Sequence, residues 1–208
     1  MKLYYAPGAC SLATRICLYE AGIAADFEQV DVKAKVTASG DDYLALNPKG
    51  SVPLLILDDG EPVTENVAIM DWLAQRAPAL GVDGPLGRTR LIEMLSFLSS
   101  ELHIAFKPFF HGAGGDERAL AASAVGRCLR LIEDRVDEHL FGSRFTVADA
   151  YLWVMLRWAA AFGVPMPAPV AAYYERLATR PTVEQGLREE ELALASPTIL
   201  APVAPVMA

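Results

Sequence analysis

The spacing of apolar residues predicts two different architectures along this chain. In residues 1–77, short apolar stretches alternate with stretches of helical spacing, in the order strand, helix, strand, short helix, strand, strand, helix. The predicted strands begin at Lys2, Phe27 and Leu54, and the fourth follows the tight turn Asp58-Asp59-Gly60. The predicted helices cover residues 11–21, 41–46 and 65–76. This order favours an α/β layer in which helices flank a mixed sheet.

From residue 88 onward the spacing is helical almost throughout. Residues 78–87 hold two prolines and three glycines, a composition typical of a linker. Helices are predicted over residues 88–111, 117–140, 147–162, 169–179 and 182–194, so residues 88–208 are expected to form an all-α domain. The Ala- and Pro-rich tail, residues 197–208, is expected to pack loosely or fray.

One helix start in the second part carries a capping box. The Thr146 hydroxyl is expected to accept a hydrogen bond from the Asp149 N–H, while the Asp149 carboxylate accepts one from the Thr146 N–H. Trp153, Trp158 and Phe162 follow at helical spacing and are predicted to be core.

Composition narrows the class of protein. The 208 residues carry a net charge of −8, which argues against nucleic acid or an anionic membrane as a partner. No stretch is apolar enough to span a membrane, and the N-terminus lacks the pattern of a signal peptide. Three cysteines, an odd number, fit a reducing compartment better than a disulfide framework, and no Cys/His cluster has zinc-ligand spacing. We therefore expect a cytoplasmic protein without a metal site.

The stretch Asn47-Pro-Lys-Gly-Ser-Val-Pro53 carries the most specific chemistry. A turn leads into Val52-Pro53 just before a predicted strand, where the N–H and C=O of Val52 could pair with an extended peptide. Beyond the hairpin, Glu65 and Asn66 open a helix whose N-terminus favours an anionic carboxylate. These features suit a short acidic peptide, although ordinary helix capping would also explain Glu65 and Asn66.

Cys10 lies where a turn passes into the first predicted helix. Unpaired N–H groups at a helix start favour a thiolate and lower its pKa, whereas a small buried hydrophobe is the alternative role for a free cysteine. Ser11 either caps the helix or donates its hydroxyl to a bound thiolate. Cys17 lies mid-helix and Cys128 in an apolar run, so neither is expected to react.

These motifs resemble the bacterial beta class of the glutathione S-transferases. The beginning of the chain, Met1 to Leu12, is similar in placing a cysteine at position 10, and residues 145–152 match the helix-start signature of the family's C-terminal domain. The resemblance extends to about Leu192. It implies a thioredoxin-like N-terminal domain, an all-α C-terminal domain, glutathione as co-substrate with no further cofactor, and a homodimer.

The resemblance also implies roles for individual residues. Cys10 would contact the glutathione sulfur, with Ser11 second to it, and His103 would face the cleft close to that thiol. Backbone groups at Val52-Pro53 would pair with the peptide. The remaining contacts are implied for Lys35 with the glycine carboxylate, Glu65 with the γ-glutamyl ammonium, Asn66 with that residue's carboxylate, and Ser96 and Ser100.

Three positions depart from the beta-class pattern. Ile104 stands where a lysine is typical, Ser51 where a glutamine is common, and Ser96 where an asparagine reaches the partner subunit's glutathione. These changes weaken polar contacts around the peptide. Phe106 and Phe109 are expected to line an apolar cleft for the second substrate.

Other charged side chains are assigned to the surface. Lys49, His111 and His139 are expected to be solvated there, with no role in a site.

The sequence leaves three functional hypotheses. The first is a glutathione transferase that conjugates glutathione to small hydrophobic electrophiles. The second keeps the fold and uses Cys10 as the nucleophile of thiol–disulfide exchange, reductive dehalogenation or ether cleavage. The third is a non-catalytic binding protein of the same fold, against which the joint presence of Cys10, Pro53, Glu65 and Asn66 argues.

Overall fold

The computed structural model describes residues 1–200, and the first part of the chain is built on a five-stranded sheet. Its strands lie side by side in the order β3-β2-β1-β4-β5, with β1 and β2 parallel and the other pairs antiparallel. The strands are β1 (Lys2–Tyr5), β2 (Asp26–Asp31), β3 (Val36–Thr37), β4 (Leu54–Ile56) and β5 (Pro62–Thr64). The mixed sheet predicted from the sequence is present.

Three helices complete this part, namely α1 (Ser11–Glu20), α2 (Tyr43–Leu46) and α3 (Asn66–Arg76). The sheet has a different core on each face because side chains alternate along a strand. Leu3 and its β4 partner Leu55 belong to the core that α1 and α3 cover, whereas Tyr4 packs on the opposite face with Tyr43 of α2.

The β3 strand is the element that the sequence did not predict. It has two residues, too few for an alternating pattern to show, and its pairing with β2 joins Val30 to Thr37. Lys35 turns the chain into β3 with a φ of 60°.

The second part is helical, with isolated bridges as the only strand-type pairing in the described residues after Gly87. Its helices are α4 (Gly87–Phe97), α5 (His103–Ala105), α6 (Lys107–Phe110), α7 (Gly115–Ile132), α8 (Val147–Phe162), α9 (Ala168–Ala178) and α10 (Pro181–Glu189). A π-helical turn, Leu98–Leu102, joins α4 to α5. The α8 helix lies at the centre, and α1 of the first part packs against it, so both parts share one core.

Three predicted helices are shorter or less regular than the sequence indicated. The single helix predicted over residues 88–111 is interrupted by the π-helical turn and again before Lys107-Pro108, where proline lacks an N–H. The helix predicted to reach residue 140 ends at Ile132, followed by a 3₁₀ turn, Glu133–Arg135. The α10 helix ends at Glu189, and Glu191 beyond it has a left-handed φ of 54°.

The predicted capping box is present at the start of α8. The Thr146 N–H donates to Oδ2 of Asp149 at 2.7 Å, and the reciprocal bond also forms. Asp149 is fully buried and accepts further hydrogen bonds from the Leu140 N–H at 2.8 Å and from the Tyr173 hydroxyl at 2.6 Å. Trp153 is buried as predicted.

The first residues of the Ala- and Pro-rich tail pair with Met166 through their backbone. The Met166 N–H donates to the Thr198 carbonyl, and the Leu200 N–H donates to the Met166 carbonyl, each at 2.7 Å. Loose packing or fraying of the tail stays a prediction, and residues 201–208 lie outside the described part of the chain. None of the helices in residues 1–200 combines the length and apolarity needed to cross a membrane.

Candidate functional site

A cleft of about 370 Å³ opens between the two parts of the chain. Residues that follow β1, lead into β4 and open α3 form one wall, and residues of the α4–α6 stretch and of α8 form the other. The first wall consists of Cys10, Ser51, Val52, Pro53, Glu65 and Asn66, and the second of Ser99, His103, Ile104, Lys107 and Tyr151. The structure thus brings Cys10, Val52-Pro53, Glu65-Asn66 and His103 together.

The turn before β4 is fixed by buried side chains. The Ser51 carbonyl accepts hydrogen bonds from the Tyr43 hydroxyl and from Nδ2 of Asn47, both at 2.8 Å. The next peptide, Val52-Pro53, is cis, and the Val52 carbonyl accepts a hydrogen bond from Sγ of Cys10 at 3.5 Å. The polar edge of Val52 and the Cys10 thiol therefore lie next to each other in the cleft.

Glu65 precedes α3 in a conformation that side chains rarely adopt. Its φ is 70° and its ψ is 121°, a sparsely populated region that is found at ligand-binding positions more than elsewhere. The Glu65 carboxylate pairs with Nζ of Lys49 at 2.6 Å, so Lys49 is not simply solvated as expected. Both side chains are more than half exposed, and such a pair contributes about 0–1 kcal/mol.

Asn66 is held by its side chain rather than acting as a helix cap. Glu65 occupies the N-cap position and Asn66 is the first helical residue, with Oδ1 accepting a hydrogen bond from Oγ1 of Thr14 at 3.0 Å. Nδ2 of Asn66 is buried and has no partner in residues 1–200. A donor is thus available beside the first N–H groups of α3, where anions bind.

The pKa of Cys10 is raised to about 12, and the prediction of a lowered pKa is wrong for this structure. Burial is the main cause, since it disfavours the thiolate, and the charge of Glu65 adds to it. The backbone N–H groups of Cys10 and Ser11 act in the opposite direction but do not compensate. Cys10 is therefore a neutral thiol at pH 7 and can donate a hydrogen bond.

Ser11 does not reach the cleft, contrary to the expectation from the sequence. It is fully buried, and its hydroxyl accepts from the Ala6 N–H at 3.3 Å and donates to the Ala6 carbonyl at 3.4 Å. The hydroxyl therefore closes the turn between β1 and α1, because the first residue of α1 points into the turn and not across it.

His103 lies in the cleft and is hydrogen-bonded to Tyr151. Nδ1 of His103 and the Tyr151 hydroxyl are 2.8 Å apart. Burial lowers the pKa of His103 to about 4, and the positive charge of Lys107 contributes in the same direction. The imidazole is neutral at pH 7, so it can serve as a hydrogen-bonding group rather than as a charged one. Burial also raises the pKa of Tyr151.

Sequence reasoning missed Ser99, Lys107 and Tyr151 as lining residues. Ser99, His103 and Lys107 recur at four-residue steps, which places them on one helical face, and this spacing could have found the two neighbours of His103. No comparable signal marks Tyr151, because it lies in α8, where nearly every residue is buried.

Lys35 lies at the rim of the site. Its Nζ donates to the Gly50 carbonyl at 2.7 Å, one residue before Ser51 of the cleft wall. Contact between Lys35 and a bound carboxylate stays a prediction.

Ser96 and Ser100 are exposed on the outside of the α4–α5 stretch and do not line the cleft. The Ser100 hydroxyl donates to the Ser96 carbonyl at 2.9 Å, and contact between Ser100 and glutathione stays a prediction. Contact between Ser96 and a partner subunit's ligand stays a prediction.

Phe106 and Phe109 belong to the core and not to an electrophile cleft, which corrects the prediction. Phe106 is fully buried and its ring lies edge-on to Trp158, with centroids 5.5 Å apart. Phe109 stacks on Phe162 at 4.9 Å. Because both side chains point inward from their helical turns, Ile104 and Lys107 on the other face line the cleft instead.

The remaining cysteines and histidines lie apart from the cleft. Cys17 is fully buried as predicted, whereas Cys128 is partly exposed on α7. His139 is buried against the ring of Phe145, so its expected surface position is wrong, while His111 is exposed as predicted. No cluster of metal-binding side chains occurs in residues 1–200.

An α/β part with a mixed sheet, an all-α part and a cleft between them define a two-part protein whose first part is thioredoxin-like. Residues 8–76 match the family model for the N-terminal domain of glutathione S-transferase, and residues 115–176 match the model for its C-terminal domain. Glutathione S-transferase GstA of Escherichia coli O157:H7 is 42% identical over 200 residues, covering 92% of this chain and 100% of the relative.

The solved structures agree with the sequence relatives. A bacterial beta class glutathione S-transferase from Sphingomonas chungbukensis superposes with a TM-score of 0.86 at 46% identity, covering 93% of this chain and 100% of the other. A sphingomonad glutathione S-transferase complexed with glutathione gives 0.85 at 42% identity, with coverages of 93% and 100%. The chain belongs to the glutathione S-transferase family and is an enzyme, and its resemblance to the bacterial beta class is confirmed.

Proposed function

We propose that this chain conjugates glutathione to small hydrophobic electrophiles in the cleft between its two parts. The proposal rests on the observation that Val52, Cys10 and the start of α3 lie together in one wall of the cleft. The backbone of Val52 would pair with the extended glutathione peptide. The γ-glutamyl end of glutathione would then lie at Glu65 and its sulfur near Cys10. A solved relative is complexed with glutathione, which supports glutathione as the peptide that this chain binds.

Two kinds of contact would hold the γ-glutamyl group. Glu65 would exchange Lys49 for the peptide's ammonium, which costs little because the existing pair is exposed. The γ-glutamyl carboxylate would lie at the start of α3, where Nδ2 of Asn66 supplies a donor that is otherwise unpaired.

The chemistry that the site favours is stabilisation of the glutathione thiolate. Because the pKa of Cys10 is raised to about 12, its S–H stays protonated and would turn from the Val52 carbonyl to donate a hydrogen bond to the bound sulfur. His103 is neutral and positioned by Tyr151, so it adds a second polar group at the cleft. The thiolate then attacks the electrophile, whose leaving group departs into the open side of the cleft.

The second hypothesis, with Cys10 as the nucleophile, is weaker. A nucleophilic cysteine must ionise, and burial holds this one protonated at neutral pH. The two reactions are separated by intact mass after incubation with oxidised glutathione, beside a conjugation assay with 1-chloro-2,4-dinitrobenzene. We expect conjugation without a mixed disulfide. A mixed disulfide without conjugation would instead favour Cys10 as the nucleophile.

Placement of the peptide is tested by the pair Glu65→Ala and Lys49→Ala. Glu65→Ala should weaken glutathione binding by roughly 1.5–3 kcal/mol, the range for a charge-assisted hydrogen bond. Lys49→Ala removes the competing partner of Glu65 and should leave affinity unchanged or slightly higher. Calorimetry that shows equal affinity for Glu65→Ala and the unaltered chain would remove the basis of the proposal.

We further propose a cytoplasmic homodimer. Membership of the family supports it, and so does an apolar groove of about 250 Å³ on α4 and α7, lined in part by Met94, Phe97 and Leu131. Leu131 is 69% exposed, which a second copy would cover. Light scattering should give twice the 22.5 kDa of one chain at micromolar concentration. Three free cysteines are compatible with a reducing compartment.

A further inference from the structure

The second wall of the cleft carries a cation between two exposed apolar side chains. Ile104 of α5 and Lys107 and Phe110 of α6 follow one another at three-residue steps, and all three side chains are exposed. Ile104 is 45% exposed and Phe110 47%, a high value for large apolar residues. The ring of Phe110 lies edge-on to Trp158 at 5.0 Å, and Trp158 lies 4.9 Å from His103. Ile104 and Lys107 line the cleft and Phe110 follows three residues beyond, so an ammonium group lies between two exposed apolar side chains along this stretch.

Lys107 has no counter-ion in the described part of the chain. None of the ion pairs among residues 1–200 includes it. Its charge nevertheless acts inside the site, since it lines the cleft and helps to lower the pKa of His103. The other lysines near the cleft are engaged, Lys49 with Glu65 and Lys35 with the Gly50 carbonyl.

We propose that Lys107 selects second substrates that carry a carboxylate on a hydrophobic body. This inference rests on the proposed conjugation reaction. The aryl or alkyl body would lie on Ile104 and Phe110, the carboxylate would pair with the Lys107 ammonium, and the electrophilic carbon would face the glutathione sulfur near Cys10. An unpaired cation at the edge of a partly enclosed cleft attracts such anions and discriminates against neutral analogues.

The position of Lys107 separates this role from glutathione binding. The groups that suit the peptide, the Val52 edge and the start of α3, belong to the first wall, whereas Lys107 lies on the second wall with Ile104. A carboxylate on the second substrate reaches Lys107 without displacing the peptide.

The reaction used to test the proposal is an aromatic substitution on matched substrates, 4-chloro-3,5-dinitrobenzoate and its methyl ester. The glutathione S–H bond breaks and its proton passes to water. The sulfur electron pair forms a C–S bond at the carbon that bears chlorine, and chloride leaves with the electrons of the C–Cl bond. The two substrates share the reacting carbon and differ in the charge at the far end of the ring.

The variants are Lys107→Met, which keeps a stem of similar length without the charge, and Lys107→Arg, which keeps the charge. In Lys107→Met we expect kcat/KM for the carboxylate to fall by about tenfold, the effect of one charge-assisted contact, and kcat/KM for the ester to change less than about twofold. Lys107→Arg should retain most of the preference. Lys33→Met, an exposed lysine outside the cleft, should behave as the unaltered chain.

Where the substrates turn over, each other outcome overturns the proposal in a distinct way. Equal loss with both substrates would show that Lys107 acts on the thiolate, and a raised KM for glutathione with both would show that it binds the peptide. An unchanged kcat/KM for both substrates in Lys107→Met would show that Lys107 does not select between them. If neither substrate turns over, conjugation itself fails, and calorimetry with the preformed S-(4-carboxy-2,6-dinitrophenyl)glutathione and its methyl ester still decides, since only the acid should bind Lys107→Met about tenfold more weakly.

Discussion

The backbone N–H of Gly8 donates to Oε2 of Glu190 at 2.8 Å, and the Gly8 carbonyl accepts from Nε1 of Trp158 at 2.7 Å. Both polar groups of this turn residue are thus held by the second part of the chain, two positions before Cys10. Gly8 has a φ of +70°, and a Cβ there would meet Nη1 of Arg157 at 3.1 Å, so glycine permits the approach. The turn that carries Cys10 therefore depends on residues that follow α10 and on α8.

The first prediction concerns the pH dependence of stability at Glu190. Burial raises the pKa of this carboxyl from 4.5 to about 7, even though Arg15 and the Gly8 N–H oppose the shift. Because the folded state holds the proton more tightly than the unfolded state, the contribution of Glu190 to stability is present at low pH and is lost as the pH rises through 7. Glu190→Gln keeps an oxygen acceptor for Gly8 and removes this titration.

Thermal unfolding at pH 5.5 and pH 8 measures the effect. As the pH rises from 5.5 to 8, the free energy of unfolding of Glu190→Gln should rise by at least about 1 kcal/mol relative to that of the unaltered chain. This corresponds to roughly 2–4 °C in Tm. Glu184→Gln, at an exposed position of α10, is the control and should run parallel to the unaltered chain. Parallel curves for Glu190→Gln as well would show that the carboxyl is already ionised at pH 5.5.

The second prediction concerns His103, whose pKa is lowered from 6.5 to about 4 by burial and by Lys107. Here the unfolded state binds the proton more tightly, so the contribution to stability is present above pH 6.5 and is lost as the pH falls towards 4. His103→Gln should therefore lose less stability than the unaltered chain between pH 7 and pH 4.5 in thermal unfolding. His111→Gln, at an exposed histidine, should show no such difference.

The third prediction is that Cys10 assists catalysis as a thiol. With its pKa raised to about 12, Cys10 should react slowly with iodoacetamide at pH 7.5, faster above pH 9, and more slowly when glutathione is bound. Cys10→Ala should lower kcat/KM for conjugation by about tenfold, since it removes one hydrogen bond to the thiolate. Peptide mass spectrometry and steady-state rates measure both. Complete loss of conjugation would instead indicate direct cysteine chemistry.

The fourth prediction concerns the capping box of α8. Asp149 is fully buried and its carboxylate accepts from the Thr146 N–H, the Leu140 N–H and the Tyr173 hydroxyl. Asp149→Ala leaves these donors unpaired and should cost about 3–5 kcal/mol of unfolding free energy. Thr146→Ser keeps the hydroxyl and should cost less than about 1 kcal/mol. Urea denaturation measures both, and a small loss for Asp149→Ala would mean that water replaces the carboxylate.

The residues that could be predicted from the sequence are those whose role is local. Thr146 and Asp149 form a capping box because residues three apart at a helix start lie close enough for the Asp149 carboxylate to reach the Thr146 N–H. The turn Asp58-Asp59-Gly60 joins β4 to β5 as predicted, and Gly60 adopts the positive φ that the turn needs. Val52-Pro53 and Glu65-Asn66 were recognised from local motifs for the same reason.

The orientation of side chains at the cleft could not be derived in this way. Cys10 and Ser11 are neighbours in sequence, yet the Ser11 hydroxyl closes the β1–α1 turn while the Cys10 thiol faces Val52. Phe106 and Ile104 lie two residues apart on a helical stretch, and which of them is core depends on where α8 packs. Helical spacing assigns faces, but it does not say which face meets the other part of the chain.

The chain by itself determined most of the order of elements, the two-part architecture and the motifs of a glutathione site, because spacing, caps and turns act over a few residues. Only the tertiary structure decided the electrostatics. The helix start at Cys10 predicted a lowered pKa, but burial by distant segments raises it, and burial likewise lowers the pKa of His103 and raises that of Glu190. Desolvation depends on every atom packed around a group, so it is fixed when the two parts of the chain meet.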